Sequence, residues 1–121
     1  LLPVVDTPGI ELVAAEAEVA WFARVLIPEL RQVGSADQVA GGWAVASSRI
    51  SAVEDRLTAL EASAPDDAGR ARARALRDAV RTSRVHLNES VRSGATDTLV
   101  RDLDAIAARL ETALCVPNPG G

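Results

Sequence analysis

The chain has 121 residues, 48% of them apolar and 25% charged, with a net charge of −4. That length holds one domain with a modest core, and that balance excludes a disordered chain. The negative charge gives no bulk pull toward nucleic acid or an anionic membrane, no run of 18 apolar residues spans a bilayer, and the single cysteine excludes an internal disulfide.

Aromatics make up only 2% of the chain, so its core must be aliphatic, with alanine letting helices approach closely. All thirteen basic residues are arginine, a usage that matches a GC-rich bacterial genome. The sequence opens on Leu1-Leu2. If this is a mature fragment, an extracytoplasmic location is slightly favoured; otherwise the expectation is cytoplasmic.

The first helix is expected over 9–33. Leu12, Ala15, Val19, Phe22, Leu26, Leu30 and Val33 make one stripe, flanked by Trp21 and Val25. Thr7 and Pro8 suit its start. Pro28 lacks an N–H and crowds the preceding turn, which predicts a kink near Arg24–Leu26. Gly34 is expected to stop the helix in the left-handed conformation.

The second helix, 35–62, carries the clearest seam. Val39, Trp43, Ala46, Ile50, Val53, Leu57 and Leu60 step by four and three, the pattern of a face that meets other helices along its length. Ser47, Ser48, Ser51, Glu54, Asp55, Thr58 and Glu61 form its expected solvated face. Ser35 and Gln38 have capping-box spacing. Gly41-Gly42 costs about 1 kcal/mol per residue in a helix interior, and is explained by a close backbone approach, a bend or a frayed first turn.

The third helix is expected over 64–93, with Ser63 as its cap, Asp66 and Asp67 at its positive end, and Gly94 as its stop. Its seam is thin: Ala73, Leu76, Val80, Ser83, Leu87 and Val91. The fourth, 96–115, carries Leu99, Leu103, Ile106, Leu110 and Leu114. Residues 117–121 read as a Pro/Gly-rich tail or linker after a single domain over 1–116. Short links imply antiparallel neighbours, so the fold class is all-α, an up-down four-helix bundle.

The stretch Val4-Val5-Asp6-Thr7-Pro8-Gly9-Ile10 resembles the DxxG switch motif of small GTPases. The resemblance implies a phosphate-cradling GxxxxGK[ST] loop upstream, which this lysine-free chain lacks, so the stretch is read as a helix start. His86 and Glu89 are spaced i, i+3, but there is one copy and no inward carboxylate to complete a metal site. One histidine, one cysteine, no lysine and no tyrosine leave little for catalysis. The expectation is no enzyme activity and no cofactor. Cys115 is expected to be a small buried hydrophobe.

The least ordinary feature is an arginine stripe. Arg70, Arg74, Arg77, Arg81 and Arg84 step by four and three, beside the third helix's seam, over about 21 Å. The expectation is pairing within the bundle, with Glu11, Glu18 and Glu29 or with Asp97, Asp104 and Glu111. The alternative is a stripe that holds an anionic partner. Trp43, Ala73, Leu76, Val80 and Ser83 are candidate pocket-lining residues, because small side chains there leave room. The functional expectation is a non-enzymatic interaction module presenting a helix face to a protein partner. The alternative is an extracytoplasmic sensor with a small-ligand pocket between helices. Nucleic acid is not an expected partner, and self-association as a homodimer is allowed.

Overall fold

A computed structural model describes residues 7–33, 35–94 and 96–115. The first rod has three parts: α1 (Thr7–Trp21), a π-helical turn (Phe22–Leu26) and α2 (Ile27–Gln32). Then come α3 (Ala36–Ser63), α4 (Asp67–Ser93) and α5 (Thr96–Cys115). The rods pack as an antiparallel up-down four-helix bundle, with no strand among the described residues. Cross-rod contacts show the alternation. Glu18 meets Arg49 and Gly42 lies against Leu30; Glu61 meets Arg77 and Glu54 meets Arg84. Arg72 reaches Ala113 and Ser90 reaches Asp102, while Arg24 meets Glu111 and Arg31 meets Asp104. In each pair of neighbours one residue number rises as the other falls.

The π turn is where Pro28 demands it. Proline cannot donate to the carbonyl four residues back and its ring crowds that turn. The helix widens instead, and the Ile27 N–H donates to the Phe22 carbonyl, five residues back. The extra residue changes the facing of the rod, so that Phe22, Ala23, Leu26, Ile27 and Leu30 all turn inward. Val33, expected on the stripe, is left 39% exposed.

Caps mark the other ends. The Ser35 Oγ accepts from the Gln38 N–H at 3.2 Å. Gly94 closes α4 with φ of +65°, the left-handed stop expected of it. The stop assigned to Gly34, the apolar Leu1–Val5 and the tail 117–121 lie outside the described residues. The start of α4 differs from expectation. Ala64 precedes Pro65 and takes the extended conformation that a following proline favours, so the helix cannot begin there. Asp66 is the cap instead and accepts from the Gly69 N–H at 2.7 Å. Ser63 stays in α3 and donates to the Ala59 carbonyl.

The core is the four seams brought together. Every member of the α3 seam is buried, and so are Ala73, Leu76, Val80, Ser83 and Leu87 of α4 and Leu99, Leu103, Ile106 and Leu110 of α5. Phe22 and Trp43 stack with ring centroids 6.0 Å apart and 20° between planes. The Trp43 indole N–H donates to Asn88 Oδ1 at 2.6 Å, so its one polar atom is satisfied. Arg72 ties three rods. It pairs with Glu16 of α1 and donates to the Ala113 and Leu114 carbonyls, at the negative end of α5.

The two adjacent glycines of α3 have different surroundings. A Cβ on Gly42 would stand 2.9 Å from Leu30 Cδ2, whereas a Cβ on Gly41 would meet nothing within 4 Å. Gly42 is therefore the close-approach residue, and Gly41 carries only the helix penalty. Gly41→Ala should stabilise the fold by about 0.5–1 kcal/mol. Gly42→Ala should gain less, because Leu30 must move. Chemical denaturation of the two variants beside the parent checks the difference.

Candidate functional site

The arginine stripe lies along the α3–α4 seam, and its partners come from α3. Arg74 and Arg77 both bind Glu61, with Arg74 Nε at 2.6 Å. Arg81 and Arg84 both bind Glu54, at 2.6 and 2.8 Å. The two glutamates are seven residues apart, and so are the two arginine pairs, so one heptad spacing repeats the clamp on facing helices. Arg77 also reaches Asp78, and Arg70 pairs with Asp67 one turn back on its own helix. The acidic lines expected as partners are otherwise engaged. Glu18 binds Arg49, Glu111 binds Arg24 and Asp104 binds Arg31, while Glu11, Glu29 and Asp97 have no ion pair among the described residues.

Glu54, read from sequence as part of a solvated face, is only 6% exposed. Burial alone would push its carboxyl pKa up. The hydrogen bonds from Arg84 and Arg81 outweigh that and hold it below the ordinary carboxylate range. The Arg74 hydrogen bond lowers Glu61, and the Arg24 hydrogen bond lowers Glu111. The same contacts raise Arg74, Arg81 and Arg24.

Trp43, Ala73, Leu76, Val80 and Ser83 are all core residues. The Ser83 Oγ is buried without a hydrogen-bond partner. A groove lies elsewhere, between the later part of the first rod and the N-terminal half of α3. It is about 430 Å³ in volume and open along the surface. Leu26, Leu30 and Val33 make one wall, and Gly42, Val45 and Ala46 the other. Val45 is 82% exposed. Trp21 and Arg49 close one end: the guanidinium sits 3.8 Å above the indole ring and is gripped by Glu18 at 2.7 Å. Glu29 and Gln38 are the remaining polar lining. The sequence holds two traces of this groove: an apolar Val45 off the α3 seam, and Trp21 beside the first stripe rather than on it.

Of the chemistry-bearing residues, His86 and Ser90 meet on Asp102, while the carboxylate pairs read from the sequence are held apart. Asp102 accepts from Ser90 at 2.8 Å and lies 3.4 Å from His86 Nε2, while Glu89 pairs with Arg92. Glu16 and Glu18 are held by different arginines. Among the described residues no group of three or more His, Cys, Asp or Glu is placed to hold a metal ion. Cys115, expected to be buried, is exposed: it follows Leu114 and points off the face that Leu110 and Ala113 bury.

The clamps have two measurable consequences. Arg74→Glu with Arg81→Glu sets Glu against Glu61 and Glu54; the melting temperature should fall, and added salt should restore part of the loss. A carboxylate whose folded pKa is depressed stabilises the fold above its unfolded value, about 4.3, and that stability is lost as pH falls through the folded value. Glu54→Gln should therefore be less stable than the parent at neutral pH, and the gap should narrow below about pH 4. Thermal melts across pH 2–7, roughly the span of carboxylate titration, check the sign.

The geometry stands alone in carrying a function: no protein-family model, curated protein or solved structure matches this chain.

Proposed function

We propose that this chain is a non-enzymatic helical-bundle interaction module, which presents the face formed by the first rod and α3 to a protein partner. The observation that supports it most is the groove beside Val45. An 82% exposed valine flanks a trough walled by Leu26, Leu30, Val33 and Ala46, on a bundle whose seams are otherwise packed. Exposed valines at positions 33 and 45, over a floor of buried Leu26, Leu30 and Ala46, are what a docked partner would cover. The carboxylates that could pair for catalysis are spent on arginines, caps and hydroxyls. The arginine stripe is spent on Glu54 and Glu61, which weighs against an anionic partner there.

The second reading is an extracytoplasmic small-ligand sensor. The groove's volume falls in the range of small-molecule sites, about 300–1,000 Å³, and that favours it. Its open side weighs against it, since ligand sites cover most of their ligand.

A photo-crosslinking residue at position 45, with position 58 on another exposed face of α3 as control, separates the readings. The module reading expects a discrete protein adduct from position 45 in the cells of origin, lost with Val33→Asp. Absence of that adduct, together with a rise in melting temperature on adding small apolar ligands, would favour the sensor.

A further inference from the structure

We infer that the occupant of the groove is an amphipathic helix of a partner protein that places a lysine or arginine against Glu29. This rests on the reading of the groove as a docking surface.

Glu29, Gln38 and Arg49 are the charged and amide side chains that line the groove, and the last two already have partners within the chain. Gln38 accepts from the Ser35 hydroxyl. Arg49 is held by Glu18 through Nε and Nη2 and lies on Trp21. Glu29 has no hydrogen bond or ion pair among the described residues. Glu29 is exposed at the groove, and an occupant that lies over it takes water from that carboxylate. A desolvated, unpaired carboxylate is costly, so the occupant must bring a donor, and a cation serves best. The net charge of −4 draws a basic segment in the same direction.

The shape selects a helix. Leu26, Leu30 and Val33 step by four and three along one wall, and Gly42, Val45 and Ala46 by three and one along the other. Such walls are ridges that take the side chains of a third helix, and Leu30, packed close against the bare α3 backbone at Gly42, forms an apolar floor between them. From Gln38 to Arg49 the trough runs about 16 Å, three turns of helix. An extended peptide has nothing to bind here: both walls are helical, so no sheet edge offers backbone hydrogen bonds.

The test uses three synthetic amphipathic helical peptides. They share one leucine face and differ only at a flanking position: Arg, Gln or Glu. Each is titrated into the isotope-labelled chain while the amide signals of Gly42 and Val45 are followed. The Arg peptide should shift both signals and bind at least about tenfold more tightly than the Glu peptide, as expected for a charge-assisted pair. Glu29→Gln should remove that preference. Glu11→Gln makes the same change in net charge on the same rod and should keep it. Equal shifts from all three peptides would overturn the cation requirement and leave the docking surface standing. No shift from any peptide would overturn the docking surface itself. A peptide-free chain that sediments as a dimer, and that Val45→Asp splits, would make the occupant a second copy and overturn the inference.

Discussion

The seam of α3 is shared. On one side it meets the first rod, through Trp43 on Phe22 and Gly42 on Leu30. On the other it runs beside α4, where Glu54 and Glu61 grip four arginines. Both contacts arise from the alternation of four and three residues, which keeps one face of a helix along the bundle axis. The apolar rows exclude water and supply the driving force. The charged rows beside them hold α4 in one register against α3, because sliding by a single residue would break all four pairs. Such pairs contribute little individually when exposed, so their part lies more in specifying the register than in stability.

Pro28 shapes the other side. A helix without it would continue straight past residue 24 and keep a single narrow stripe. The π turn widens the apolar sector, buries Ile27 and leaves Val33 at the margin. The groove lies there, between a rod that has changed its facing and a helix that Leu30 approaches closely at Gly42. The two local features are 14 positions apart in sequence and meet only because α2 and α3 are antiparallel.

The surface divides accordingly. The α3–α4 side is covered by internally paired guanidiniums, with the long stems of Arg77 and Arg84 lying over the seam. The neighbouring side, between the first rod and α3, carries Val45 and Val33 in the open. Arg72 adds a lock at the far end: its donors satisfy the last carbonyls of α5, which lack intrahelical partners of their own.

Much of the bundle was legible in the chain itself. The four seams, the Ser35 cap, the Gly94 stop and an interruption of the α-helix ahead of Pro28 are local matters of periodicity and backbone sterics, and local physics suffices for them. The arginine stripe was legible as a row, but not the identity of its partners. Glu54 and Glu61 looked solvated, because a polar residue beside a seam reads alike whether water or a neighbouring helix faces it. Only the packing of α4 against α3 decided that Glu54 is buried and depressed in pKa. The groove was hidden for a related reason. Val45, Gly42, Leu30 and Glu29 each belong to an ordinary helical pattern, and what makes them a site is the distance between two rods. That distance depends on the rotation introduced by the π turn and on the missing side chain at Gly42 acting together, and no window along one helix contains both.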